Sequence, residues 1–434
     1  MTLLPLTAME LKRITHDLQL EAAMKRRISE RITALLEYRT GLIDIPTLTQ
    51  KFIATHFSFL LFTTIPGVFI NTFFFRQDGK ISTVALYNAI SVFGLAIVMQ
   101  LSSQISLKKS PVFILRIGVV LYNIFYIILL LLQGNAIKYT VLLGILSALA
   151  NGFYWQSYNE LVKITTSEKI FDRVVSLMGM VSSFVNLVVP LISGIIISTF
   201  GGQLGYNIIF AISFLFSLCT TFLATKLGDV KIVGVSNLSG TYRYVFSSKK
   251  VFGIFAAEFF RGIKNTAYPL FLNIIFFKMI TNEAILGLNT TLCGLTAIFS
   301  FILAGRIIRP RNRLQCVLIS SVISTIVSIP LLVYMKPLVL FILSIVNALV
   351  AAFLDNPSVG IFYTAFEKPI DGISFSQLLS TREVFFGAGR VVGLTMLVLL
   401  SRSSFMFAVF ALIVNASTLL TWLLYKGSVE VKMD

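Results

Sequence analysis

Three charged residues lie inside a stretch that is otherwise apolar enough to be buried in a bilayer. In residues 256–271, which read AAEFFRGIKNTAYPLF, these are Glu258, Arg261 and Lys264. Their spacing places all three on one face of a helix. An isolated charge costs several kcal/mol in hydrocarbon, so these groups must face a watery cavity or one another. The stretch therefore predicts a polar site near the middle of a membrane.

Later residues supply further charges at matching depth. In the stretch STREVFFGAGRVVG (380–393), Glu383 and Arg390 are two helical turns apart on one face, with Gly387 between them to let another helix approach. A helix that crosses in the opposite direction would bring Asp355 to the depth of Arg261.

Two interpretations of these charges stay open. The acids and bases could neutralise each other and fix helix packing. Alternatively, the cations, which include Arg382, outnumber the acids by one, and this surplus suits a solute with an anionic or zwitterionic part. Asp355 and Glu258 are the candidates for proton coupling, because burial and a nearby cation act on a carboxyl group in opposite directions.

The elements that must position these residues are membrane-spanning helices. The chain is 56% hydrophobic and 13% charged, against roughly 25% charged residues in a soluble domain. The pattern predicts an all-α integral membrane protein with twelve spans of about 20 residues each. A β-barrel does not fit, because no alternating strands of about 10 residues occur. The predicted spans are 52–75, 81–105, 111–133, 137–162, 174–200, 204–226, 251–277, 281–305, 314–334, 337–364, 375–401 and 403–425.

Basic residues indicate the orientation. Lys and Arg concentrate in the N-terminal segment, in the 226–250 loop and in alternate short loops, which predicts that both termini are cytoplasmic. The net charge of +17 then reflects topology and not a nucleic-acid partner. The cysteines Cys219, Cys293 and Cys316 fall within spans without paired ligand spacing, so neither a metal site nor a disulfide is indicated.

The predicted domain organisation has five parts. Residues 1–50 form an amphipathic cytoplasmic helix, either lying on the membrane or binding a partner. Residues 51–226 form one six-helix bundle, which we call the N-half, and residues 251–426 form the second, which we call the C-half. A linker over 227–250 joins them, and 427–434 form a tail. The short loops leave no room for another extramembrane domain.

The N-half offers neutral polar groups on its first and fourth spans. The fourth carries Asn151, Tyr154, Trp155 and Gln156, and the first carries His56. These groups could bind an amphipathic solute by stacking and hydrogen bonding, or they could join helices and mark the membrane interface. For His56 the alternatives are a proton relay and a structural role. Glu160 with Lys163, near the end of the fourth span, is predicted to form a pair at the cytoplasmic rim.

The two halves show a weak internal repeat. SALANGFYWQ (147–156) aligns with NALVAAFLDN (347–356), and TTIPGVFINTFFF aligns with NTAYPLFLNIIFF so that Pro66 matches Pro269. Two six-helix bundles in parallel repetition, joined by a cytoplasmic loop, resemble the major facilitator superfamily over positions 51–425. The resemblance implies that helices seven and ten line a central cavity, so the charged site would belong mainly to the C-half.

Two motifs strengthen the resemblance. GRIIRPRNR (305–313) is similar to the basic gating loop of the superfamily, and VVPLISG resembles the helix-five signature of exporters and antiporters, with Pro190 and Gly194 in place. GVFINTFFFR and NGFYWQSYNEL resemble an uncharacterised, YqgE-like branch found in Bacillus relatives. The gating residues that match the loop are Arg306, Arg309, Arg311 and Arg313.

The resemblance implies a function in solute transport. We expect a monomeric secondary transporter in a bacterial plasma membrane, which exports a small amphipathic, anionic or zwitterionic solute. It would use no cofactor and draw on a proton or ion gradient. The alternatives are a flippase for a lipid-linked headgroup and a membrane sensor or scaffold that transports nothing. An enzyme is not expected, because no metalloprotease, phosphate-cradling or paired-acid motif occurs.

Overall fold

A computed structural model of the chain describes residues 45–67, 69–165, 168–230, 237–280, 282–366 and 370–429. Within these residues the backbone is almost wholly helical, and the bridge between Ile370 and Ile373 is its single isolated β-pairing. The predicted all-α fold class is therefore confirmed for this part of the chain. Most of the predicted amphipathic helix over 1–50, and residues 430–434 of the predicted tail, lie outside the described residues.

The helices follow the predicted spans closely, and span one comprises α1 and α2, on either side of residue 68, which lies outside the described residues. Helix α8 lies within the predicted linker. In chain order the α-helices of the described residues are α1 Thr47–Gly67, α2 Phe69–Asp78, α3 Ile81–Lys108, α4 Pro111–Leu132, α5 Thr140–Thr165, α6 Glu168–Phe200, α7 Gly202–Thr225, α8 Leu238–Ser247, α9 Lys249–Ile280, α10 Glu283–Ile307, α11 Arg313–Ser328, α12 Pro337–Ala365, α13 Phe375–Leu399 and α14 Ser404–Val429.

Nine stretches of the described helices are long and apolar enough to cross a membrane. One of them, Pro111–Val162, contains both α4 and α5. Helices α9 and α13 are not among the nine, and these are the helices that carry most of the charges singled out from the sequence. The molecule is thus a multi-pass membrane protein, while the count of twelve spans stays a prediction.

Local sequence signals explain where several helices begin. The Ser110 hydroxyl accepts a backbone hydrogen bond at the start of α4, and Pro111 follows as the first helical residue. Asn282 caps α10 in the same way, and Ser374 with Gln377 forms a capping box on α13. Such caps satisfy amide groups that have no partner within the helix. These boundaries are therefore encoded by neighbouring residues.

Glycines hold α9 and α13 in backbone contact. A Cβ atom added to Gly389 would lie 1.9 Å from the carbonyl oxygen of Phe259, and one added to Gly393 would lie 2.1 Å from that of Ile263. Gly262 makes the same kind of approach from α9. In membranes, small residues at a helix interface allow this close packing. The two charged helices thus form one tightly packed pair.

The N-half and the C-half meet mainly along two pairs of helices. Helix α3 approaches α13 at Gly387, where an added Cβ would lie 3.2 Å from the Cβ of Ala96. Helix α6 approaches α10 at Gly287, where an added Cβ would lie 2.7 Å from the carbonyl oxygen of Pro190. The close approach predicted at Gly387 is therefore present, and the helix that it admits comes from the other half.

Candidate functional site

A network of three ionised residues joins α9 to α12. Arg261 donates from Nη2 and Nε to Glu258 Oε2 at 2.5 and 3.0 Å, and from Nη1 to Asp355 Oδ1 at 2.7 Å. The Tyr425 hydroxyl donates to Glu258 Oε1 at 2.9 Å. Glu258 and Arg261 are buried, whereas the Asp355 side chain is 42% exposed. Arg261 thus shares its charge between a sealed carboxylate and an accessible one.

Lys264, one turn further along α9, has only neutral partners among the described residues. Its Nζ donates to Asn347 Oδ1 at 2.8 Å and to Ser324 Oγ at 2.9 Å. The Tyr268 ring centre lies 5.5 Å from the same nitrogen, and Asn347 donates to the Tyr268 hydroxyl at 2.9 Å. No carboxylate of the described residues lies within ion-pair distance of this ammonium group. Its positive charge is therefore available to a ligand.

A cavity of about 380 Å³ opens beside Lys264 between α9, α10 and α12. Every described residue of its lining belongs to the C-half, and Arg261, Lys264 and Asp355 are among them. Its size is that of a small-molecule site, and a few polar groups set in an apolar wall give such sites their specificity. Amides dominate the remaining polar lining, which includes Asn265, Asn273, Asn289 and Asn347.

The second charged pair supports the wall of this cavity without lining it. Arg390 donates from Nη1 to Glu383 Oε1 at 2.7 Å and from Nε to Asn265 Oδ1 at 3.1 Å. The Phe386 ring lies between two guanidinium groups, 4.4 Å from that of Arg261 and 4.2 Å from that of Arg390. These contacts favour the packing interpretation for Glu383 and Arg390, which orient Asn265 toward the site.

The neutral partners of Lys264 were not singled out from the sequence. Ser324 belongs to SSVISTIVS (320–328), a run in which Ser321, Ser324 and Ser328 recur at helical spacing and are all buried. Such a row of small hydroxyls in an apolar helix is the signal that points to a polar neighbour. Asn347 was visible only as part of the internal repeat.

The predicted aromatic residues of the N-half are packed together in its core. The Tyr154 hydroxyl and His56 Nδ1 are 2.9 Å apart, and the Phe59 ring stacks on Tyr154 with 3.3 Å between centroids. Trp155 meets Tyr154 edge-on, and Asn151 donates to a carbonyl of its own helix. None of the predicted N-half residues is part of the described cavity lining. Their role in solute binding stays a prediction.

The predicted rim position of Glu160 is wrong, because the residue is buried, whereas its pairing with Lys163 stays a prediction, since that side chain lies outside the described ones. The residue is 6% exposed, and its Oε1 accepts from Ser106 at 2.8 Å, from Gln156 at 2.8 Å and from Ser376 at 3.3 Å. Gln156 also donates to Ser376 at 3.0 Å. The carboxylate is buried because α13, which lies far away in sequence, covers it. The sequence shows that Glu160 is near the end of its helix, but it does not show which helix packs against that end.

The basic loop after α10 is tied to the C-half. Arg309 Nη1 donates to the carbonyls of Gly305 and Ile308, and Arg313 Nη1 donates to the carbonyl of Gly360 at 3.0 Å and to Thr364. Arg306 lies in the last turn of α10, and Arg311 lines a second cavity. These bonds satisfy carbonyls at helix ends. The gating role of the loop stays a prediction.

The helix-five signature lies where α6 crosses α10. A Cβ added to Gly194 would lie 2.7 Å from the carbonyl oxygen of Glu283. Glu283 also forms an ion pair with Arg76 of α2 and accepts a bond from Tyr206 at 3.4 Å. This cluster joins the two halves at the end of the helices opposite to Glu160, and the sequence did not point to it.

Comparison with solved structures defines the class of protein. The nucleoside transporter NupG matches with a TM-score of 0.67 at 11% identity, over 89% of this chain and 100% of the NupG chain. The D-xylose-proton symporter matches with a TM-score of 0.65 at 13% identity, over 86% and 97%. The chain therefore shares the fold of these transporters, as its resemblance to the major facilitator superfamily implied. These neighbours are transporters, which supports the prediction that the chain is not an enzyme.

Among curated proteins, the chain is similar to YqgE of Bacillus subtilis (strain 168), which is described as an uncharacterised protein. The identity is 25% over 331 residues, which are 76% of this chain and 77% of YqgE. The predicted resemblance to the YqgE-like branch is confirmed by this match. No protein-family model matches the chain.

Proposed function

We propose that the protein is a secondary transporter that carries a small anionic or zwitterionic organic solute by alternating access. The observation that carries this proposal is Lys264, a cation with neutral partners on the wall of a cavity of about 380 Å³. Asp355 offers an accessible carboxylate on the same wall. A carboxylate or phosphate of the solute would bind Lys264, and an amino group, where present, would bind Asp355.

Coupling to protons would use Asp355. Its carboxylate is exposed to the cavity and shared with Arg261, whereas Glu258 is sealed by Arg261 and Tyr425. A proton taken up by Asp355 would weaken its bond to Arg261, and a bound solute would compete for the same group. In our proposal the helices form two six-helix bundles that rock against each other at the α3–α13 and α6–α10 contacts. The helix-five signature favours export.

The first experiment is a thermal-shift screen of the purified protein in neutral detergent. Organic acids, amino acids, phosphorylated metabolites and neutral sugars would be compared on wild type and on Lys264→Gln. A solute that binds the folded state raises the melting temperature. We expect organic anions or zwitterions to stabilise wild type and to lose this effect in Lys264→Gln. Lys249→Gln, which removes an exposed cation from the same helix, is the matched control.

A hit would then be tested for transport in proteoliposomes with an imposed pH gradient. Asp355→Asn should remain folded and bind the solute while losing gradient-driven flux, whereas a sensor or scaffold would show no flux in either protein. If no anion stabilises wild type, or if Lys249→Gln and Lys264→Gln lose the response equally, the cavity is not the solute site and the proposal fails.

A further inference from the structure

A second cavity, of about 360 Å³, lies at one end of the C-half, where α9 begins and α12 and α14 end. We call it the rim pocket. Its lining includes three cations, Lys250, Arg311 and Arg313, and no carboxylate among the described residues. Its walls are formed by helices of the C-half and by α8. It is separate from the cavity beside Lys264, since the two share no lining residue.

The charges of the rim pocket are not neutralised within the part of the chain that the structure describes. No ion pair of these residues includes any of the three cations. Lys250 and Arg311 are exposed, and Arg313 uses one of its nitrogens for the Gly360 carbonyl and Thr364. Among the described residues, three cations without an ion-pair partner thus surround one concave surface and give it a positive potential. An anion with several acceptor oxygens is the complementary partner.

The remaining wall of the rim pocket is apolar. Ile254, Ile361 and Phe366 line it and are buried, and α8 closes one side through Tyr244. Helix α8 is itself held in place by Val245, which is fully buried in the same apolar cluster. A purely polar anion would leave this apolar wall in contact with water. The pocket therefore suits an occupant that has both an anionic head and a hydrocarbon chain.

We propose that the rim pocket binds an anionic phospholipid from the adjoining leaflet. Its phosphate would lie among Lys250, Arg311 and Arg313, and one acyl chain would cover the apolar wall. The apolar surface beside the pocket supports a bilayer source, because Ile307 at the end of α10 and Ile319 of α11 are 48% and 57% exposed and would contact lipid. Because the linker helix α8 forms part of the pocket, a bound lipid would also hold the linker against the C-half.

The test compares phospholipids of equal chain length and different charge. Dioctanoyl phosphatidylglycerol and dioctanoyl phosphatidylcholine would be titrated into the full chain in neutral detergent, and binding would be measured by native mass spectrometry. Lys250→Gln with Arg311→Gln should weaken phosphatidylglycerol binding about fivefold for each charge removed, since one cation near a membrane surface contributes about 1 kcal/mol. Phosphatidylcholine binding should not change.

The matched control is Arg306→Gln with Arg309→Gln, which removes two cations from the same loop outside the rim pocket. If this control weakens binding as much as the first variant, the attraction is spread over the surface and the proposal fails. Melting temperatures without lipid show that each variant is folded.

A third variant separates a lipid from a soluble anion. Ala365→Trp leaves every cation in place and fills the apolar part of the pocket with an indole ring. We expect it to weaken phosphatidylglycerol binding at least fivefold. If Ala365→Trp has no effect and glycerol 1-phosphate binds as tightly as phosphatidylglycerol, the occupant is a soluble phosphate and the lipid proposal is overturned.

Discussion

The interiors of the N-half and the C-half contain different kinds of side chain. In the C-half, Glu258, Arg261 and Lys264 lie along one helix, and Arg261 and Lys264 border a cavity. In the N-half, the corresponding space is filled by rings, with Phe59 stacked on Tyr154 at 3.3 Å. A charge needs a partner or water in a medium of low dielectric constant, whereas aromatic rings can fill space completely. The difference accounts for a cavity beside the charged helix of the C-half and for close ring packing around Tyr154 in the N-half.

The two halves also treat a buried carboxylate differently. Glu258 is paired with a cation, whereas Glu160 accepts only from neutral groups, and its Oε2 has no hydrogen-bond partner among the described residues. The donor Ser376 belongs to the C-half, so the environment of Glu160 depends on contact between the halves. Separation of the halves at this end would remove the Ser376 bond and leave Glu160 with Ser106 and Gln156, its donors in the N-half. The C-half carries its polar site within itself, and the N-half completes its own only at the boundary.

The largest expected effect comes from removing the central cation. Arg261→Met leaves Glu258 as a buried charge without a cation, which costs about 3–5 kcal/mol of unfolding free energy. The measurement is reversible unfolding in mixed detergent micelles. Adding Glu258→Gln and Asp355→Asn to Arg261→Met should restore most of the loss, because no bare charge then remains. A loss below about 1 kcal/mol for the single variant would show that the network does not stabilise the C-half.

The next effect tests the glycine contacts. Gly389→Ala brings a Cβ to 1.9 Å from a backbone carbonyl and should cost about 3 kcal/mol or more. Gly152→Ala in the N-half brings a Cβ to 2.5 Å from the Cβ of Val98 and to 2.9 Å from the Leu95 carbonyl oxygen, which is a less severe approach, so its cost should be smaller. Gly305→Ala, with no atom within 4 Å, is the control and should be neutral or slightly stabilising. If Gly389→Ala and Gly152→Ala lowered the unfolding free energy equally, the helix contacts of the two halves would not differ in tightness.

A smaller effect is expected in the aromatic core of the N-half. It tests whether this core binds solute. Tyr154→Phe removes the bond to His56 and should cost about 1 kcal/mol of stability. Because Tyr154 does not line the cavity, stabilisation by an anionic solute should persist in this variant. Tyr268→Phe, which alters the surroundings of Lys264, should reduce that stabilisation. The reverse pattern in thermal-shift titrations would move the binding site into the N-half.

The smallest change in stability is expected at the Arg76–Glu283 pair. Arg76 is 39% exposed, so Arg76→Gln should change the unfolding free energy by less than about 1 kcal/mol. It should, however, raise the maleimide labelling rate of Cys293, which lines the cavity, by up to about fivefold. The assay uses a Cys219→Ser, Cys316→Ser background, with Lys80→Gln as control. An unchanged labelling rate would show that this pair does not hold the halves together.

The sequence predicted much of the fold because membrane solvation acts on every residue separately. Apolar stretches, basic loops and caps such as Ser374 with Gln377 are local signals, and the helices follow them. The depth of the charges also followed from position along a helix, and Arg261 does meet Asp355. The internal repeat and the motifs at Pro190 and Gly194 indicated the major facilitator fold.

The pairing of side chains depended on the tertiary structure. Arg261 and Asp355 are 94 residues apart, and the sequence did not determine that Arg261 would take both acids while Lys264 kept neutral partners. Nor did it show that Glu160 would be covered by a helix of the other half. Hydropathy and spacing set what each helix must be, because solvent acts along the whole chain. Which charge stays without an ion-pair partner depends on contacts between side chains of different helices. These contacts form only once the helices have packed.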